Sequence, residues 1–358
     1  VGDVVGYQVR LNQDLPNTPA GILLCTTGIL LKKLQFNPRL DGCSHVIVDE
    51  AHERTINTDM LLVLLKRAME LNKDLKVIVM SATINADLFQ RYFNCNCIEV
   101  PGRTFPVKSY FLDDIDMIGL KSKNSYSGMA FDDRRPLTPD AVHGSPIVDI
   151  VKIGELIVHI TKNKPPGAIL TFLPGWAEIS QLKKYLEHYS ELAMMPEKVI
   201  IVPLHSKMPF YDQKKIFHKP ADDVRKIVLA TDIAETGITV SDVVYVVDSC
   251  THRQVHWHEK RGLSSISNQW ASQANINQRK GRAGRVQPGV SYHFITRDMF
   301  NNLPPYPTPE VQRSSLEQTV LDAKTYGSNE KAHDFLGKMP QPPDPVVIEH
   351  AVKELIDL

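Results

Sequence analysis

Residues 44–54, Ser-His-Val-Ile-Val-Asp-Glu-Ala-His-Glu-Arg, constrain the fold of this chain more than any other stretch. Val46, Ile47 and Val48 are apolar and β-branched, and the run is too short for a helix, so it reads as a buried parallel strand. It ends abruptly in Asp49 and Glu50. In an open α/β sheet, ligands bind beyond the carboxyl ends of the strands, which delivers both acids to a binding crevice. One carboxylate there can hold a magnesium ion, and its neighbour can orient or deprotonate a water. Val-Asp-Glu by itself is equally consistent with a strand ending in a solvated acidic turn. The rest of the chain decides between the two.

The same alternation of strand and helix patterns recurs on both sides. Ala20–Cys25 is a strand pattern ending in Thr26-Thr27-Gly28, and Ile29–Leu34 is a helix pattern. Asn57 or Thr58 can cap a helix over residues 59–71, with Leu61, Leu62, Leu65 and Met69 at helical spacing. Lys76–Met80 is a further buried strand, ending in Ser81-Ala82-Thr83. Residues 1–112 therefore read as a doubly wound parallel-sheet domain. Residues 113–146 hold no period and are rich in Asp, Ser, Lys, Gly and Pro, so they read as an insertion and linker. The alternation restarts over 147–297, with helices at 148–162, 178–187 and 211–217 and strands at 168–172, 199–202, 226–230 and 243–247. Residues 298–358 are Pro-punctuated and then helical at 316–324 and 346–358. Two α/β domains of similar size would form a cleft, a common place for ligands.

Composition excludes several classes. Of 358 residues, 41 are basic and 41 acidic, so any nucleic-acid binding must come from a local groove and not a global field. The five cysteines form no paired framework, which points to a reducing, intracellular compartment; nucleus, cytoplasm and mitochondrion all stay open. Cys95 and Cys97 lack a second pair, and His252, His256 and His258 lack a fourth ligand at zinc spacing, so the histidines read as polar positions of a hairpin. No apolar run is long enough to span a membrane. The chain opens on Val1 and closes in a helical pattern, as a piece of a longer protein would.

Three further stretches carry chemistry. Ser81 and Thr83 place hydroxyls at the sheet edge that bears Asp49 and Glu50, although taken alone the stretch reads better as a simple turn. Residues 230–239, Ala-Thr-Asp-Ile-Ala-Glu-Thr-Gly-Ile-Thr, follow a strand with short polar side chains suited to phosphates or sugars, or to capping a helix. Residues 278–285, Gln-Arg-Lys-Gly-Arg-Ala-Gly-Arg, place Arg282 and Arg285 three apart, on one face of a helix or turn. Guanidinium groups so placed suit a phosphoryl group, and an exposed basic patch seldom needs interleaved glycines.

Together these residues resemble the DEAH-box/RNA helicase A (maleless-like) family of superfamily 2 ATP-dependent helicases. Asp49-Glu50-Ala51-His52 resembles the Walker B box, Ser81-Ala82-Thr83 the coupling motif and Thr26-Thr27-Gly28 a strand-contacting motif. Phe172–Trp176, Pro203–Ser206, 230–239 and 278–285 resemble the motifs of the second domain, in order and over nearly the whole chain. The resemblance implies two RecA-like doubly wound parallel-sheet domains followed by the start of a winged-helix region. It implies ATP and Mg2+ as cofactors and RNA as partner, unwound 3′ to 5′, with DNA as a weaker option, accessory protein activators conceivable and no membrane.

It also implies roles. Asp49 would hold magnesium through water and Glu50 would activate the attacking water and share that metal site, with Gln278 orienting. Arg282 and Arg285 would be arginine fingers on the γ-phosphate. His52, Ser81 and Thr83 would couple the nucleotide to the second domain. Phe217 would stack on adenine, with Gly281 also at the nucleotide. Thr27, Thr231, Thr236 and Thr239 would touch the RNA backbone. Residues 253–265 fall where the family has a strand-separating β-hairpin.

The sequence departs from the family pattern in three places. It contains no Gly-x-x-x-x-Gly-Lys-Ser/Thr, since Gly337-Lys338 is followed by Met339, so this stretch alone is not expected to hydrolyse ATP efficiently. Asp232 stands where the family has Asn, and Gly237 where it has Ser. These departures also fit a non-catalytic RNA-binding scaffold, although Asp49, Glu50, Gln278, Arg282 and Arg285 are all retained.

Overall fold

The computed structural model describes residues 2–82, 86–102, 105–120, 146–221, 223–235, 237, 240–258, 263–327 and 330–357. It divides into two units, Val1–Glu99 with Val255–Ser265 and Thr308–Leu358, and Val100–Gln254 with Ile266–Pro307.

The first unit opens with β1 (Val5–Val9), β2 (Asn12–Asp14) and β3 (Ile22–Cys25), a small sheet in which β1 is antiparallel to β2 and parallel to β3. Helix α1 (Thr27–Phe36) follows, then β4 (His45–Val48), α2 (Ile56–Leu71), β5 (Lys76–Val79) and α3 (Ala86–Phe93). β4 and β5 pair in parallel. Among the described residues of this unit, these strands pair as two small sheets, β2-β1-β3 and β4-β5. The strand pattern was expected to be buried on both faces, but only Val46 and Val48 are buried and Ile47 is 58% exposed. The buried pair faces α2, whose Met60, Leu62 and Leu65 are fully buried. Thr55, not Asn57 or Thr58, caps α2, its side chain accepting the Thr58 amide at 3.2 Å. Thr58 is instead buried in the first turn.

The second unit is built on a six-stranded, wholly parallel sheet. Its first strand, β6 (Val107–Tyr110), lies in the stretch expected to close the first domain. α4 (Leu112–Met117) then occupies the start of the stretch read as patternless. Residues 121–145 of that stretch lie outside the described residues. α5 (Ile150–Asn163), β7 (Ala168–Phe172), α6 (Trp176–His188) and β8 (Val199–Leu204) follow the expected alternation. The helix expected over 211–217 is a single turn, α7 (Phe210–Gln213), continued by a 3-10 turn over Lys214–Phe217. Next come β9 (Arg225–Ala230), β10 (Val243–Asp248) and the paired strands β11 (Thr251–His258) and β12 (Leu263–Trp270), whose Val255–Ser265 portion is counted with the first unit. α8 (Gln273–Gly281), β13 (Gly289–His293) and α9 (Arg297–Asn302) complete the unit. Strand order is β6-β13-β10-β7-β9-β8.

All residues of β7, β9 and β10 are buried, as strands covered on both faces must be. In α5, Ile153, Leu156, Ile157 and Ile160 are fully buried at helical spacing, each contributing about 1.5–3 kcal/mol by leaving water. The Asp149 side chain caps that helix by accepting the Lys152 amide at 2.8 Å.

The chain then returns to the first unit with α10 (Glu317–Tyr326), α11 (Ala332–Leu336) and α12 (Pro345–Ile356). Val311, Val320, Phe335, Leu336 and Ile348 join Met60 and Leu62 in one core. The residues Thr308–Leu358 thus pack within the first unit. Arg54 fastens them polarly. Its guanidinium grips Asp59 through two 2.9 Å bonds and also donates to Gln341, while its carbonyl accepts the Glu310 amide at 3.1 Å.

Candidate functional site

Asp49 and Glu50 stand where strand polarity places them, immediately beyond the carboxyl end of β4. β4 is drawn tight against β5 there, with the Met80 amide on Val48 O at 2.8 Å and the Ala51 amide on Met80 O at 3.0 Å. Glu50 has φ +52° and Arg54 φ +51°, left-handed values on either side of the 3-10 turn Ala51–Glu53. Non-glycine residues adopt that region at a cost of order 1 kcal/mol, so strain is concentrated on the acidic turn. Asp49 Oδ1 accepts the Glu50 amide at 2.9 Å, which fixes one carboxylate against the other's backbone.

His52 is buried beneath this turn. Its Nδ1 lies 3.3 Å from both the Ala82 amide and Glu50 Oε2. The amide can only donate, so Nδ1 accepts from it, and Glu50 Oε2 lies beside the same nitrogen. The acidic turn and the Ser81-Ala82 segment are thereby joined through one imidazole. Thr27, half-buried, is the first residue of α1, beyond the carboxyl end of β3. Thr83 lies outside the described residues.

The second unit carries the other candidates. Gln278 is half-buried on α8, whose Ser272 cap accepts the Asn275 amide at 3.3 Å. Gly281 ends α8, and Arg282–Gly284 form a 3-10 turn capped by Arg285. Arg285 is exposed, whereas Arg282 is only 6% exposed and donates to the Glu235 carbonyl. The three-residue spacing thus yields two different environments. Phe217 ends its 3-10 turn 57% exposed, while the preceding Ile216 is fully buried. Thr231 is buried at the carboxyl end of β9, so its hydroxyl is not a surface contact in this conformation. Thr236 and Thr239 lie outside the described residues, as do residues 259–262 and the His258 side chain. Asp232 is exposed and favours the protonated form of His205, whose pKa is nonetheless lowered by burial and by Lys207. A Cβ on Gly237 would meet nothing nearer than Ile233 O at 3.9 Å, so the missing hydroxyl is not a steric requirement.

Sequence reasoning quoted Glu235 and Arg279 without giving them a role. Arg279, at 1% exposure, donates to Glu235 Oε2 at 2.8 Å, Asp248 Oδ1 at 3.0 Å and the Thr251 carbonyl at 3.1 Å. Asn275 also donates to Glu235. Residues 230–239 and the arginine-bearing helix are thus joined by buried charge. Burial raises the Glu235 carboxyl above its usual range, although Arg279 and Asn275 pull against it. Burial pushes Asp248 the same way, but Arg279 and His293 outweigh it and hold that carboxyl below its usual value. No spacing rule reveals this cluster, because its members come from β10, β13, α8 and the loop after β9.

Asp248, Cys250 and His293 are the one group with metal-ligand proximity among the described residues. The Arg279 guanidinium already occupies Asp248, and burial holds the Cys250 thiol well above its usual pKa, so the donor set does not suit a divalent cation. Asp49 suits a hard cation better, being an exposed carboxylate at a strand end.

Residues 151–287 match the helicase conserved C-terminal domain. The chain is 43% identical over 349 residues to the ATP-dependent RNA helicase DHX30 of Homo sapiens, covering 97% of this chain and 28% of that protein. It is 38% identical over 395 residues to the ATP-dependent DNA/RNA helicase DHX36 of Bos taurus, covering 100% of this chain and 39% of that protein. The crystal structure of the Escherichia coli DEAH/RHA helicase HrpB superposes with a TM-score of 0.78 at 28% identity, over 99% of this chain and 41% of that one. The chain thus spans 28% of the length of the human DHX30 it matches.

Proposed function

The chain belongs to the DEAH-box/RNA helicase A family, and on that premise we propose that it supplies part of the catalytic core of an ATP-dependent RNA helicase that unwinds or remodels RNA 3′ to 5′. The observation that carries this reading is the strained acidic turn beyond β4, joined through His52 to the segment after β5. Glu50 is the base that takes a proton from the attacking water, and its carboxylate is oriented by the left-handed backbone at its own position. Asp49 is the residue that would hold Mg2+, which when bound would screen phosphate charge. Gln278 orients the water, and Arg282 and Arg285 neutralise charge developing on the γ-phosphoryl group. Arg282 must exchange the Glu235 carbonyl for phosphate, a trade towards the stronger, charge-assisted acceptor. His52 reports the state of Glu50 to the Ala82 amide, with Ser81 and Thr83 in the same coupling segment. Thr27, Thr236 and Thr239 serve the RNA backbone, Thr231 joins them only when its buried hydroxyl is uncovered, and accessory activators and DNA are secondary partners.

The test is Glu50→Gln in the full-length protein. RNA-stimulated ATP hydrolysis falls by about 10²–10⁴-fold, the usual contribution of a positioned base, while RNA binding persists. Unchanged turnover in that variant would remove Glu50 from the mechanism. Competition by single-stranded DNA of the same sequence separates RNA preference from general strand binding.

A further inference from the structure

A lysine is buried near the start of a central strand of the second unit. Lys226 belongs to β9, every residue of which is buried, and is itself 3% exposed. An apolar side chain would satisfy that position, and a buried ammonium is costly unless each of its donors is matched. All three are. Nζ donates to Ile216 O at 2.7 Å and to His218 O at 3.1 Å, and pairs with Asp242 Oδ1 at 2.8 Å.

The two carbonyls flank a single residue, Phe217. Lys226 therefore grips the chain immediately before and after that ring. Ile216 anchors the same turn from beneath by complete burial, and the His218 amide closes it on Lys215 O at 3.2 Å. The result is a large aromatic side chain, 57% exposed, on a backbone held at three points. An exposed ring on a loose turn would lose conformational entropy on stacking, and a pre-fixed ring loses little.

We propose that Lys226, braced by Asp242, is a positioning residue that presents Phe217 as a rigid platform for a nucleotide base. The proposal rests on the reading of Phe217 as the adenine-stacking residue, and adds what holds it. Lys226 does not touch nucleotide; it acts through the turn.

The experiment uses the full-length protein with saturating single-stranded RNA. Lys226→Met keeps the length of the side chain and removes its donors. It is expected to raise the KM for ATP about tenfold, the scale of one base–aromatic stack, with kcat within twofold. Phe217→Ala does the same, and the double variant is no worse than Phe217→Ala alone, because both changes remove one stack. Asp242→Asn, which keeps both carbonyl bonds, gives a smaller rise in KM. If Lys226→Met folds poorly, Asp242→Asn carries the comparison with Phe217→Ala. Hydrogen exchange at the His218 amide, measured without nucleotide, reads the clamp independently: it quickens in Lys226→Met and not in Phe217→Ala. Faster exchange combined with a normal KM in Phe217→Ala would retain the clamp and remove the adenine reading. Unchanged exchange in Lys226→Met, or KM effects of the two substitutions that multiply, would overturn the proposal.

Discussion

Arg279 is the largest fully buried side chain among the described residues, and it is charged. Its position is tolerable only because Glu235 and Asp248 approach it from two different elements. This has a pH consequence. Asp248 has a folded pKa below its ordinary value, so it contributes stability that is fully present above about pH 4 and is lost as pH falls through the lowered folded value. Glu235 runs the other way, since a raised folded pKa makes its protonation easier in the folded state. Urea midpoints measured from pH 7 down to pH 3 are expected to fall for the wild-type chain. Asp248→Asn should start lower, because Arg279 loses a buried partner, a change of about 3–5 kcal/mol, and should show less further loss on acidification. An equal acid slope in both proteins would place the sensitivity elsewhere.

At the scale of the element, the packing of α5 against α6 depends on one glycine. Gly154 lies in the interior of α5, where glycine ordinarily weakens a helix by roughly 0.5–1 kcal/mol relative to alanine. Here a Cβ would stand 2.4 Å from two ring carbons of Tyr185 on α6, and that ring is tethered by its hydroxyl to Glu155. Gly154→Ala should therefore destabilise, by about 1–3 kcal/mol, the reverse of the propensity expectation. A denaturant midpoint at or above wild type would show that Tyr185 can swing aside. The same scale explains the early strands. β4 and β5 carry the residues of buried strands, yet only one face of each is covered among the described residues, so Ile47 and Ile78 are exposed.

At the scale of the whole molecule, the last fifty residues belong with the first hundred. Glu310 accepts the Ile56 amide through its carboxylate at 2.9 Å, and Phe335 and Leu336 share a core with α2. A chain ending at Pro307 should lose hydrogen-exchange protection in α2, while β7, β9 and β10 keep theirs, because their core is built within the second unit. Retained protection of α2 would mean that β4, β5 and α1 suffice to cover it. A break between residues 297 and 298, as the Pro-rich pattern invites, would cut through α9.

The sequence by itself determined what short-range chemistry can encode. Period and β-branching marked β7, β9 and β10 and the helices between them, and strand polarity alone put Asp49 and Glu50 beyond the carboxyl end of β4. The order of the motifs then carried the family. Tertiary structure alone decided the pairings between distant segments. Val107–Tyr110 reads locally like the end of one domain, but its ladder partner is β13, nearly two hundred residues on. Glu235, Arg279 and Asp248 are unremarkable polar letters until the sheet brings them together and excludes water, which makes each of them costly without the others. The acidic turn after β4 belongs to both accounts: its letters announced two carboxylates, and the fold supplied the strain and the buried His52 beneath them.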